Sequence, residues 1–157
     1  MKYLAYGSNL DKGQMKQRCP YAKPLGKLMI PNYRLVFRGV ADIIPAKGFQ
    51  VPVGVWEITE RCEASLDMYE GVSHGLYRKE YFHSIGKQFW GETETDFLTY
   101  VMNRDGLRMP PHGYLEGIQR GYRDFGIDQR FLEEALDFTK NYDTGDGHIP
   151  ARYRTGG

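Results

Sequence analysis

The sequence predicts a mixed α+β domain, on three observations. An apolar run at the N-terminus stops at Gly7-Ser8-Asn9 just before a helical pattern, the middle of the chain carries alternating runs bounded by Gly or Pro, and the last third carries apolar stripes at helical spacing. The length of 157 residues suits one domain with its own core and excludes two large ones. With 41% hydrophobic and 26% charged residues, the usage is that of a soluble, ordered globular chain, and no stretch approaches the ~18 consecutive apolar residues of a membrane-spanning helix.

In chain order, residues 2–6 read as a strand and 11–19 as a short helix that buries Met15 and Cys19 at i, i+4. Tyr33, Leu35 and Phe37 alternate with Arg34, Val36 and Arg38, and Val51, Val53 and Val55 alternate again, so two strands are expected with a loop between them holding Pro45 and Gly48. Thr59 is placed to cap a helix over 60–69, with Cys62, Leu66 and Tyr69 on one face and Gly71 ending it. Residues 76–85 and 93–102, rich in Tyr, Phe and Thr, read as a β-hairpin. After Pro110-Pro111, the spacing of Leu115, Ile118, Tyr122 and Phe125 predicts an amphipathic helix, although Gly117 and Gly121 weaken its intrinsic propensity. Asp128 is the expected N-cap of a last helix over 129–139, with Ile127 and Leu132 as a hydrophobic staple. The domain is expected to span 1–140, with 141–157 as a tail packed on it or frayed from it.

Charge excludes some functions. Lys and Arg number 21 against 20 Asp and Glu, so the net charge of +1 supplies no field for steering polyanions, and neither a nucleic-acid nor a membrane partner is expected. Aromatic residues beside bases in Tyr33-Arg34 and Tyr77-Arg78-Lys79 could imitate an RNA-stacking platform, but an alternating strand produces the same pattern. Cys19 and Cys62 are too few for a disulfide framework and form no Cys-x-x-Cys pair, so two buried thiols and a cytoplasmic location are expected, the N-terminus showing no secretory signal.

Two segments can carry chemistry. At Tyr6-Gly7-Ser8-Asn9-Leu10, successive backbone N–H groups can bind a carboxylate or oxyanion; the same residues also suit an ordinary strand-to-helix turn capped by Asn9. Glu70 stands at the negative end of a helix dipole, which disfavours its charged form and should raise its pKa; a solvated acid tolerated there is the other reading.

Together with Leu66-Asp67-Met68-Tyr69-Glu70-Gly71-Val72 and Gly75-Leu76-Tyr77, the opening Tyr-Gly-Ser-Asn-Leu loop resembles the γ-glutamylcyclotransferase-like (AIG2-like, γ-glutamylamine cyclotransferase-like) family. The resemblance extends through Val53-Gly54-Val55-Trp56, Tyr100-Val101 and the helix start near Tyr114, and fades beyond Thr139. It implies a small curled or barrel-like sheet flanked by helices, with a pocket between the first loop and the helix ending at Glu70. It also implies a reaction: the α-amine of a γ-glutamyl compound attacks its own γ-amide carbonyl, giving 5-oxoproline and a free amine or amino acid. On that resemblance Glu70 is the general acid/base, Tyr6, Gly7, Ser8, Asn9 and Leu10 hold the substrate carboxylate or oxyanion, and Tyr77 and Tyr114 line the substrate site. Tyr77 reads equally well as a strand tyrosine packed on the core.

No metal or organic cofactor is implied, because the nucleophile belongs to the substrate. The partner is a small γ-glutamyl substrate, and the chain is expected to be a monomer or weak homodimer. Three alternatives stand beside this: a non-catalytic binder of small acids using the same pocket, a Ser8-dependent hydrolase, and a zinc site. The second lacks a Gly-x-Ser-x-Gly elbow, and the third lacks spacing, since His74, His83, His112 and His148 are scattered.

Overall fold

The computed structural model describes residues 1–89, 96–143 and 145. Five strands, β1 (Lys2–Ala5), β2 (Lys23–Phe37), β3 (Ala41–Glu57), β4 (Tyr77–Phe82) and β5 (Phe97–Met102), form one sheet in the order β2-β3-β1-β5-β4. Helices α1 (Lys12–Arg18), α2 (Glu60–Tyr69), α3 (His112–Phe125) and α4 (Arg130–Asn141) flank it. The mixed α+β class and the curled sheet are therefore as expected. Strand β1 lies at the centre, antiparallel to β3 and parallel to β5, with Tyr3 opposite both Trp56 and Leu98. The curl brings the two outer strands together through side chains: the rings of Tyr33 on β2 and Phe82 on β4 meet edge to face at 5.2 Å.

The largest departure from the sequence reading is the β2–β3 ribbon. Instead of two short strands with a loop at Pro45 and Gly48, the two long strands pair from Phe37↔Ala41 to Lys23↔Glu57, and the turn is at Arg38-Gly39-Val40. Pro45 stands within β3 opposite Tyr33, beside an irregularity in register between Pro31 and Tyr33 where Asn32 adopts a positive φ. A bulge takes up the ladder position that a proline cannot serve, and β2, an edge strand, accommodates Pro24 and Pro31 for the same reason. Asn32 Oδ1 then accepts the Gly48 N–H at 3.1 Å.

Local signals located the helices well. Thr59 caps α2 by accepting from the Cys62 N–H, and Gly71, at φ 64°, ends it. In α1 the cap is Asp11, not Asn9. In α4 the Asp128 carboxylate accepts the Arg130 N–H, one residue further out than a cap over 129–139 would place it. The expected hairpin is β4–β5, with Tyr77 opposite Met102; the part of the expected second strand at 93–95 lies outside the described residues, as does most of the expected tail.

Cys19 and Cys62 are not thiols. They form a disulfide that ties the end of α1 to the first turn of α2, their Cα atoms 5.2 Å apart across 43 residues of sequence. Spacing along the chain gave no hint of it, because the pairing depends on how the two helices pack. No helix among the described residues is long and apolar enough to cross a membrane.

Candidate active site

The Tyr-Gly-Ser-Asn-Leu loop leaves the middle of the sheet as a 3-10 turn over Ser8–Leu10 and leads directly into α1. Leu10 is its anchor. The side chain is fully buried, and its contacts explain two glycines: a Cβ on Gly54 of β3 would come within 2.9 Å of Leu10 Cδ2, and one on Gly121 of α3 within 2.4 Å of Leu10 Cβ. The N–H groups of Leu10 and Asp11 close the turn on the carbonyls of Gly7 and Ser8 at 3.0 and 3.1 Å, which leaves the amides of Ser8 and Asn9 outside the turn's own hydrogen bonds.

Asn9 is held from three sides. Its Nδ2 donates to Tyr3 Oη at 2.9 Å, its Oδ1 accepts from Arg18 Nη1, and its carbonyl accepts from Trp56 Nε1 at 3.0 Å. Arg18 Nη1 also donates to Ser8 Oγ at 3.0 Å.

Helix α2 delivers Glu70 to the same place. The residue is the helix's C-cap, half-buried, with its N–H on the Leu66 carbonyl at 2.8 Å. Gly71 reverses the chain immediately afterwards. On the strand side Asp67, one turn earlier, accepts from Tyr100 Oη at 2.6 Å and pairs with Lys79 at 2.7 Å, fixing the last turn of α2 against β4 and β5.

Between loop and helix lies a pocket of about 490 Å³ including its open mouth, lined by Gly7, Ser8, Asn9 and Glu70, by the turn residues Val40 and Ala41, by Leu76, and by a wall of tyrosines. Of the residues named from sequence, Tyr6, Gly7, Ser8, Asn9, Glu70, Tyr77 and Tyr114 come together here. Leu10 does not: it holds the loop from behind, inside the core.

Three of the tyrosine hydroxyls are tied to backbone. Tyr6 donates to the Tyr100 carbonyl, Tyr77 to the Ala41 carbonyl at 3.3 Å, and Tyr114 accepts the Ala41 N–H at 2.8 Å. Burial first, and then the nearby negative charges of Glu70 and, for Tyr6 and Tyr77, Asp42, push the phenols of Tyr3, Tyr6 and Tyr77 well above their ordinary range. They remain neutral at any working pH. Asp42 is itself buried; burial raises its pKa, while Arg38 at 2.8 Å and the Met102 N–H at 3.0 Å oppose the rise. This pair braces the turn that carries Val40 and Ala41 into the pocket.

Sequence reading missed Tyr3, Tyr69, Tyr100 and Arg18. The tyrosines belong to four different elements once Tyr77 is counted, and only sheet register brings Tyr3 and Tyr100 within 5.8 Å, edge to face. For Arg18 there was a faint signal: it follows Gln14 by four residues, and Gln14 Oε1 accepts from its Nη2 at 2.8 Å.

Fold and site define a small α+β protein with a tyrosine-walled pocket, in which a glycine-containing N-terminal loop faces a carboxylate at a helix end. The chain belongs to the family described as "Gamma-glutamyl cyclotransferase, AIG2-like", whose model matches residues 3–118, a span that contains both the loop and Glu70. Among solved structures, one titled "Gamma-glutamyl cyclotransferase" is similar at a TM-score of 0.75 and 23% identity, covering 98% of this chain and 95% of that one. A human protein titled uncharacterized protein loc79017 is similar at 0.72 and 23% identity, over 97% and 94%. YkqA from Bacillus subtilis is similar at 0.71 and 22% identity, over 91% of this chain and 55% of its own. At these identities the likeness is one of fold. No curated protein sequence matches the chain.

Proposed function

We propose that this protein cyclises the γ-glutamyl group of a small γ-glutamyl amine or amino acid to 5-oxoproline and releases the free amine. The observation that carries the reading is the placement of the Glu70 carboxylate in one pocket with the Ser8-Asn9 turn.

The substrate brings its own nucleophile, an α-amine that is mostly protonated at neutral pH because an α-ammonium has a pKa of about 8. Glu70 takes a proton from it. The amine nitrogen then attacks the γ-carbonyl carbon, and negative charge develops on the carbonyl oxygen, where the Ser8 and Asn9 amides and the Ser8 hydroxyl can meet it. When the tetrahedral intermediate collapses, the carbon–nitrogen bond to the leaving amine breaks and the proton held by Glu70 passes to that nitrogen; the attacking nitrogen gives up its second surplus proton through the same carboxylate, so that the products are the lactam N–H and the protonated free amine. No water is consumed. The tyrosine wall favours a folded substrate, with the amine near the carbonyl, by leaving little room for an extended one. Its hydroxyls, bound to backbone at Tyr6, Tyr77 and Tyr114 and to side chains at Tyr3 and Tyr100, keep the walls in place.

Glu70→Gln keeps the size of the side chain and removes its capacity to take a proton. The folded variant is expected to lose about 10²–10⁴ in 5-oxoproline release, measured against a panel of γ-glutamyl amines and amino acids, while still binding substrate. A wild-type protein that binds these compounds without releasing 5-oxoproline would make it the non-catalytic acid binder. A folded variant within about threefold of wild type would remove Glu70 from the chemistry.

A further inference from the structure

Arg18, the last residue of α1, touches both halves of the site without lining the pocket. Its Nη1 donates to Ser8 Oγ at 3.0 Å and to Asn9 Oδ1, and its Nη2 donates to Gln14 Oε1 at 2.8 Å. The guanidinium carbon lies 3.7 Å from the centre of the Tyr69 ring, next to Glu70 in the chain. A planar cation with five donors can stack and fork in this way; a lysine ammonium, a point charge on a flexible stem, cannot do both.

We infer that Arg18 is the positioning residue of the oxyanion side of the site, an inference that rests on the cyclisation proposed above. Three consequences follow from the hydrogen bonds. With a lone pair of Ser8 Oγ engaged by the guanidinium, the hydroxyl directs its hydrogen elsewhere, toward an oxygen in the pocket, and the cationic partner strengthens it as a donor. The Asn9 amide, accepting from Arg18 and donating to Tyr3, is locked in one orientation, and the turn bearing the Ser8 and Asn9 N–H groups is locked with it. Stacking on Tyr69 sets the spacing between this turn and the helix end that carries Glu70. The Cys19–Cys62 disulfide, at the next residue, holds the backbone of Arg18 against α2 while this happens.

The test is a double-mutant cycle with a structural readout beside it. Arg18→Ala is expected to lower kcat about 10–10²-fold, less than the ~10²–10³ of a deleted oxyanion donor because the donors remain but wander, with KM moving less than about threefold. In a Ser8→Ala background the same change should cost several-fold less, because part of what Arg18 does is orient that hydroxyl. Arg18→Lys should recover less than tenfold of the loss. Crystal structures of wild type and Arg18→Ala should show the Ser8 and Asn9 side chains in altered rotamers.

A folded Arg18→Ala within threefold of wild type, full additivity with Ser8→Ala, or an unchanged loop in the crystal would each overturn the inference. Glu70→Gln is run in parallel. If wild type releases no 5-oxoproline from any γ-glutamyl compound, the proposed reaction fails on its own, and the loop's rotamers in the two crystals decide whether Arg18 positions it.

Discussion

Gly121→Ala tests how the loop is held. The helix α3 lies so close to the 3-10 turn that a Cβ at position 121 would fall 2.4 Å from Leu10 Cβ, 2.6 Å from the Leu10 carbonyl carbon and 2.7 Å from the Asp11 nitrogen. Carbon atoms in good contact sit about 3.5–4.0 Å apart, so the helix or the turn must give way by roughly 1 Å. Two of the three atoms are backbone, which no rotamer change can move. Against this, alanine is favoured over glycine inside a helix by up to about 1 kcal/mol, while overpacking a tight contact costs about 1–3 kcal/mol. The expected net loss is about 0–2 kcal/mol, up to about 8 °C in Tm for a chain of this size. Activity should fall further than stability: a displacement of about 1 Å at a positioned group costs about 10²-fold. Two neighbours in the same helix serve as controls. A Cβ at Gly113 meets nothing within 4 Å, so Gly113→Ala should raise Tm slightly and leave turnover alone. One at Gly117 meets only side-chain atoms, nearest the Gln14 amide nitrogen at 2.5 Å, and should fall between the two. Calorimetric melting and 5-oxoproline release measure both quantities. If Gly121→Ala melts at or above wild type and turns over within threefold of it, the close approach does not hold the loop.

Other expectations concern stability. Tyr122 is fully buried with no hydrogen-bond partner for its hydroxyl among the described residues, so Tyr122→Phe should leave denaturant stability unchanged or raise it by about 1 kcal/mol; a loss above that would reveal a partner. Burial alone would raise the Asp11 pKa, but hydrogen bonds from Gln14 and Arg120 outweigh it and hold the carboxyl below its ordinary range. Folding therefore favours the ionised form, so the advantage of wild type over Asp11→Asn should be constant above about pH 5 and shrink on acidification through about pH 3.9 and below. Because Arg120 is half-exposed, that advantage should be about 1 kcal/mol, and an advantage that grows toward low pH would contradict the assignment. The disulfide closes a loop across 43 residues, worth about 4 kcal/mol by chain entropy alone, so Cys62→Ser or reduction should lower Tm by about 10 °C or more. Equal melting with and without reductant would show that the bond adds nothing.

Short-range physics made much of the molecule legible in the sequence. Helix α2 could be read to its last residue, since a Thr cap, an apolar face and a left-handed glycine are all local signals. The apolar stripe of α3 was visible in Ile118, Tyr122 and Phe125, all buried. The loop and Glu70 could each be read locally as a plain turn and a solvated helix end, and it was the family pattern they share that singled them out. What remained hidden depends on contacts between residues far apart in the chain. Pro45 and Gly48 read as a loop because local propensity disfavours both in a strand, yet β3 pairs with β2 up to Pro45 and again from Gln50, and Gly48 falls in the irregular stretch between, its N–H on the Asn32 side chain. Gly117 and Gly121 read as weaknesses in a helix; the fold makes Gly121 the place where α3 touches the loop. Cys19 and Cys62 read as separate thiols, because their meeting is set by helix packing. Arg18 shows the limit most directly. Its residue type and spacing are those of a solvated helix end, and only the packing of α1 against α2, which brings Ser8, Asn9 and Tyr69 around one guanidinium, makes it part of the site.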